Sequence, residues 1–277
     1  MREILFSAEP VIRLSIFVGV FALIAVWEYL APRRRQIFLR RARWPGNLGI
    51  AMLNTLLLRI VAPSATVGIA ALMTEYNFGV LNLIALPAGV AILMAVILLD
   101  LIIYLQHRLF HVVPFFWKFH RMHHTDLDFD TTTAIRFHPI EIFFSGLIKL
   151  VTIVAIGPPV IAVFIFEVLL NATAMFNHGN INISTRLDGV LRLFLVTPDM
   201  HRVHHSVVYR ETNSNYGFNL PWWDRIFNTY RAQPESGHDN KRIGIAQFPN
   251  ARELGLLKML SHPFRRPAAA SLVDNTV

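Results

Sequence analysis

Apolar residues in this chain come in long blocks separated by short polar breaks. The first block runs from about Val11 to Leu30. The second runs from about Leu48 to Met73, with Pro63 placed to kink it, and the third from about Leu83 to Leu105. Each block approaches or exceeds the ~20 residues an α-helix needs to cross a bilayer. A further apolar stretch, residues 140–176, is broken by Gly157-Pro158-Pro159. Its two halves, about 16–18 residues each at ~1.5 Å per residue, are short for crossing. They predict a helical hairpin that enters and leaves on one side. Lys149 and Glu167 lie equally far from Pro158 in sequence, hence at similar depth. Charges inside a membrane pair or mark function, so these two are expected to pair across the hairpin. After residue 176 the chain turns polar.

Composition supports a membrane protein. Of 277 residues, 54% are hydrophobic and 16% charged, against roughly 25% charged in soluble domains. The net charge is +8. Arg33, Arg34, Arg35, Arg40, Arg41 and Arg43 directly follow the first block, which is the positive-inside pattern of a cytoplasmic loop. Loop 31–47 is then cytoplasmic, loop 74–82 lies outside, and His107 returns to the cytoplasmic side. No aromatic groove or nucleic-acid motif accompanies the basic residues, so nucleic acid is not an expected partner. The first block ends in Trp27-Glu28-Tyr29-Leu30 without a signal-peptide cleavage pattern, and is expected to remain as a membrane anchor. Absence of cysteine excludes disulfides, iron–sulfur clusters and thiolate zinc sites.

Ten of the twelve histidines fall between residues 107 and 205, eight of them in three clusters. These are His107-x3-His111, His120-x2-His123-His124 and His201-x2-His204-His205. Helical spacing of i, i+3 and i+4 brings such residues to one face. Three such faces, with His138 and His178, exceed the needs of one metal and suit two. Beside two metals, both of these single histidines are expected to ligate. Imidazole binds iron, copper, zinc and nickel, so ligand type leaves the metal open. Asp100 and Tyr104 share a helix face with His107 and His111, and Asp100 is a candidate to accept the outer N–H of a ligating histidine. Asp199, Asn215 and Asp224 are further candidates to support the site. Asp126, Asp128 and Asp130 either hydrogen-bond ligands or form a solvated loop, the loop being expected for at least one. Trp222 and Trp223 are read as interface packing, and His238 and His262 as residues outside the site.

The three clusters in this order resemble the fatty acid hydroxylase/sterol desaturase superfamily. So do Asp-Leu-Asp-Phe-Asp at 126–130, Arg-Phe-His-Pro, Asn-His-Gly-Asn, Asn-Tyr-Gly and Trp-Trp-Asp-Arg-Ile-Phe-Asn-Thr-Tyr. The resemblance covers roughly residues 95–233; earlier residues resemble the family only as membrane helices. It implies a membrane di-iron oxygenase in which the eight clustered histidines, with His138 and His178, bind two irons. It implies O₂ as co-substrate, a lipid or sterol-like substrate, and hydroxylation or desaturation of a C–H bond, with no classical acid or base required. No haem, flavin or ferredoxin signature is present, so electrons are expected from a separate reductase, ferredoxin or cytochrome. The competing reading is a histidine-rich membrane metal transporter or sensor. Transporters place ligands near the bilayer midplane, often at broken helices, whereas these clusters follow the spans. The expected fold class is all-α: polytopic membrane helices with a cytoplasmic helical cap carrying the dimetal site. Residues 1–94 are expected to be N-terminal membrane helices, 95–233 the catalytic region and 234–277 a peripheral tail.

Overall fold

The computed structural model describes residues 2–61 and 65–265. Among them are no β-strands, only two isolated bridges. Seven helices form the body: α1 (Arg2–Leu30), α2 (Arg40–Val61), α3 (Ala65–Glu75), α4 (Ala88–Val112), α5 (Pro114–His124), α6 (Pro139–Ile156) and α7 (Val160–Asn177). Short helices follow: α8 (Thr185–Leu191), α9 (Pro198–His204), α10 (Tyr209–Thr212), α11 (Trp222–Ile226), α12 (Gly237–Asn240) and α13 (Leu256–Ser261).

Four segments are long and apolar enough to cross a membrane: Pro10–Leu30, Ala88–Val112, Pro139–Ile156 and Val160–Asn177. Much of their apolar surface is exposed in the isolated chain, Val11, Val18, Leu23, Leu93 and Val151 among it. An exposed apolar face of that length needs lipid around it. The second expected span differs. Residues 48–73 fall in two helices, and α2 starts at Arg40, so three arginines enter it. The kink expected at Pro63 lies outside the described residues. The third span starts later than expected, at Ala88, and α4 continues through His107 and His111, as their shared helix face predicts, with no helix breaker before Pro114.

The hairpin forms, but each arm, 18 residues long, is long and apolar enough to cross a membrane, against the expectation that both are too short. Gly157, at φ 62°, closes α6 in the left-handed conformation, and its N–H donates to the Ile153 carbonyl (2.8 Å). Gly79 abuts it so closely that a Cβ there would sit 2.4 Å from the Gly157 nitrogen. Lys149 Nζ reaches Glu167 Oε1 at 3.2 Å across the hairpin, and Arg13 of α1 reaches Oε2 at 2.6 Å. The buried Glu167 thus has two cations. In a double-mutant cycle, Lys149→Met should cost less stability in a Glu167→Gln background than alone, with coupling of about 0.5–3 kcal/mol. Equal costs in both backgrounds would refute a direct pair.

The core lies where α3, α4, α6 and α7 meet, around Val67, Leu99, Ile103, Ile153, Val163 and Phe166. α1 packs on α7 through Phe17, Val20 and Phe21 against Ala174 and Met175. The segment expected to be a peripheral tail is instead built into the body as far as residue 265. Met259 of α13 is buried with Ile50 and Met122, and His262 is buried beside Phe248.

The acidic triplet is not a solvated loop. Asp126, Asp128 and Asp130 are all buried. Arg43 forks onto Asp126 (Nε–Oδ1 2.6 Å, Nη2–Oδ2 2.8 Å) and reaches Asp130 (2.6 Å). Asp128 accepts the backbone N–H groups of Ile37 and Phe38. Part of the arginine-rich segment therefore acts as an internal clamp, holding the chain immediately after α5.

Candidate metal centre

Nine histidines converge at the ends of α4, α5, α7 and α9. One group is His107, His111, His120, His124 and His204; the other is His123, His178, His201 and His205. Within each, one ring nitrogen per residue lies within 4.8 Å of all the others, and every member is buried. The groups abut: His124 and His205 stack at 4.5 Å.

Helix geometry explains the division. At ~100° per residue, positions i+3 and i+4 point about 100° apart, on either side of position i. His120 and His124 therefore serve the first group and His123 the second. In the next cluster His201 and His205 serve the second group and His204 the first. Each cluster feeds both groups instead of presenting one point.

Outer contacts orient the rings. Nδ1–H of His107 donates to the Tyr216 carbonyl (2.7 Å), that of His204 to Ser214 (2.7 Å) and that of His178 to Ala174 (2.8 Å). His120 Nδ1 donates to Glu141 Oε1 (2.6 Å). Each acceptor fixes the proton on Nδ1 and leaves Nε2 a lone pair. The Nε2 atoms of His107, His111 and His204 are buried without a hydrogen-bond partner. Others face one another: His178 Nε2 lies 3.2 Å from His123 Nε2 and 3.1 Å from His201 Nε2. His120 and His124 meet at 3.3 Å. Neighbouring ligands about 2.1 Å from a common metal stand about 3 Å apart, so these spacings fit a shared cation.

Burial, then the neighbouring imidazoles, holds His123, His124, His201 and His205 well below the ordinary imidazole range. Burial does the same for His204, against the opposing pull of its Ser214 hydrogen bond. Burial lowers His178 to about 4 despite its bond to Ala174. These six rings are neutral at physiological pH, the protonation state that binds metals. Converging buried lone pairs cost free energy unless a cation satisfies them.

His138 stands apart from both groups. Its Nδ1 accepts the Ile140 N–H, capping α6, and its Nε2 faces the Leu260 carbonyl at 3.2 Å. With both nitrogens engaged it has none to offer, which corrects its expected place beside His178. Nor do the acids flagged in sequence touch the histidines. Asp100 accepts from Trp223 Nε1 (2.8 Å) and the Leu220 N–H. Asp224 accepts the Tyr216 and Gly217 N–H groups. Asp199 pairs with Arg33 and Arg202. Asn215, at φ 52°, bonds the Met200 and Arg231 backbone. Tyr104 meets Thr229 (2.9 Å) and stacks on Phe227. Asp100, Tyr104, Asn215 and Asp224 hold the segment that delivers the Tyr216 and Ser214 carbonyls, so their support is one step removed, while Asp199 holds Arg33 and Arg202.

Glu141 is the partner missed in sequence. Its signal was an acid at the start of an apolar helix, which needs a partner there. Glu141→Gln should weaken metal binding about 10–100-fold, the range for losing an outer partner of a metal ligand. Metal titration of the purified variant checks this; undiminished affinity would remove Glu141 from the site.

The fatty acid hydroxylase family model matches residues 92–229, a stretch that holds all nine converging histidines. An ornithine lipid hydroxylase of Rhizobium tropici is 29% identical over 188 residues, covering 68% of this chain and 54% of that protein. Human alkylglycerol monooxygenase is 33% identical over 132 residues, 48% of this chain and 28% of its own length. A methylsterol monooxygenase of Arabidopsis thaliana is 28% identical over 138 residues, 50% and 51% respectively. The chain thus spans about half or less of the length of these relatives. No solved structure matches it.

Proposed function

Because this chain belongs to the fatty acid hydroxylase family, we propose that it is a multi-pass membrane di-iron oxygenase. On this reading it hydroxylates or desaturates a C–H bond of a lipid or sterol-like substrate. The observation that carries the reading is the pair of buried histidine groups, five and four strong. The nine histidines would hold two irons, which when bound supply reduction of O₂ and oxidation of an unactivated C–H bond. The relatives' names, all lipid or sterol oxygenases, favour this over metal transport or sensing.

The chain's own residues orient the ligands and keep water out. The Tyr216, Ser214 and Ala174 carbonyls and Glu141 keep protons on Nδ1. Phe137 stacks on His123 at 4.6 Å and Phe129 on His178 at 5.4 Å, walling the second group. His111 is the most exposed of the nine, at 9%, with Trp117 4.9 Å away. The substrate would approach there, from the α4 side and hence from the membrane. Electrons would come from a separate protein donor, and the site would face the cytoplasm.

The test is metal analysis and oxygen uptake on detergent-purified protein grown with iron. Two irons per chain and lipid-dependent O₂ consumption with an oxygenated product are expected. Tight zinc with no O₂ uptake under reducing conditions would overturn the assignment.

A further inference from the structure

A polar recess of about 330 Å³ lies apart from the histidines, bounded by α8, the first turn of α9, α11 and α12. None of the nine histidines lines it. Its cationic wall is Arg33, Arg192 and Arg225, with His238 beside them. Arg192 and His238 are buried, and Arg192 is incompletely satisfied. Arg192 pairs with Asp188 through Nε (2.6 Å) and donates Nη1 to the Ala232 carbonyl (2.6 Å), leaving Nη2 without a partner. His238, 8% exposed, makes no hydrogen bond through its ring nitrogens, though Asp199 Oδ2 lies 3.7 Å from its Nε2. Arg225 lies over the Tyr230 ring at 4.6 Å and makes no ion pair among the described residues. By contrast, the wall's two carboxylates are already paired, Asp188 with Arg192 and Asp199 with Arg33, Arg202 and, at 3.7 Å, His238. Donors are left over, and acceptors are what the recess lacks.

The recess lies beside the ends of two candidate membrane spans. Arg33 is three residues beyond the end of α1, and Pro32 bridges Ile181, just past α7. Both helices are candidate spans. α8 adds a second, independent sign. Thr185, Asp188, Gly189 and Arg192 face the recess at i, i+3, i+4 and i+7. Leu187 and Val190 occupy the opposite face and are 52% and 58% exposed, and Phe194 in the turn that follows is 63% exposed. A short helix with one apolar exposed face and one polar face lies in a membrane interface.

We propose that this recess binds the phosphate of an anionic phospholipid headgroup, with α8 dipping its apolar face among the acyl chains alongside. Its volume is at the small end of ligand pockets (~300–1,000 Å³), enough for a headgroup and too small for acyl chains. Arg192 Nη2 and Arg225 are the donors, and charge-assisted bonds to phosphate supply the affinity. The assignment is independent of the metal centre.

The test uses the full chain in a neutral detergent, titrated calorimetrically with dihexanoyl phosphatidylglycerol, dihexanoylglycerol and inorganic phosphate. Phosphatidylglycerol should bind, and Arg225→Gln should weaken it about tenfold or more, the loss expected for a bond to a charged group. Arg225 makes few contacts, so this variant is expected to fold. Dihexanoylglycerol should not bind, and phosphate alone should bind much more weakly. Separately, Leu187→Trp in nanodiscs should add emission that brominated acyl chains quench. Equal affinity for inorganic phosphate would overturn the headgroup assignment in favour of a free-anion site. Unchanged lipid affinity in Arg225→Gln, or an unquenched Trp at 187, would overturn it outright. Loss of turnover with an acidic protein reductant, at normal lipid affinity, would also overturn it and give the recess to the electron donor.

Discussion

His178→Ala should release the metal of the second histidine group and reduce lipid oxidation more than about hundredfold, beyond the 10–100-fold loss typical of an outer partner. His138→Ala should leave metal content intact and cost only about 1 kcal/mol, the loss expected for a helix cap. The two residues look alike in sequence: both are single histidines between the clusters. The structure separates them. His178 sits at the end of α7, fully buried, with its Nδ1 proton held by Ala174 and its Nε2 aimed at His123 and His201. Removing it leaves three ligands and a cavity among them. His138 commits both nitrogens to backbone groups. Metal counts on the two purified variants check the distinction. Loss of metal in His138→Ala with retention in His178→Ala would invert the ligand assignment.

The histidines were legible because their chemistry is local: each cluster sits within a few residues on one helix or its end. The hairpin and its ion pair were legible for a similar reason, since Gly-Pro-Pro fixes the turn and equal distance from it fixes depth. How the clusters divide between two groups depends on how α5 and α9 face each other, and no single helix carries that information. The supporting acids were misassigned because proximity in sequence stood in for proximity in space. Asp100 shares a face with His107, yet that face is wide enough for Asp100 to meet Trp223 about two turns away from that histidine. Glu141 lies on a different helix from its histidine. The arginine-rich segment was read as a topology signal alone. Arg43 shows its limit, since charge counting does not reveal that a cation has buried carboxylates waiting for it.

That buried cation carries the second large effect. Arg43→Met should destabilise the protein by about 3–5 kcal/mol, the range for removing one partner of a buried ion pair. Arg43, Asp126 and Asp130 have no exposed side-chain surface, so stranded carboxylates find no water. The loss should also reach the metal. Arg136 donates to the Met122 carbonyl, Thr125 and Asn47, and Asn47 in turn donates to Asp126. The Arg43 network therefore fixes the end of α5, where His123 and His124 sit. The pH dependence tests whether charge is the cause. Burial alone would raise the Asp126 carboxyl; the charge and hydrogen bonds of Arg43, joined by the Arg136 charge and the Asn47 hydrogen bond, outweigh it and hold the group well below the carboxylate range. A depressed folded value contributes stability above the unfolded pKa of about 3.9 and loses it as pH falls. Without Arg43, burial prevails and the carboxyl rises, so the variant gains relative stability on acidification. Denaturation in detergent at neutral and mildly acidic pH should show the gap between wild type and Arg43→Met narrowing in acid. Arg43→Lys should fall between the two, because it keeps the charge and loses the fork. A gap that stays constant with pH would mean that lost packing, and not the stranded charge, makes Arg43 indispensable.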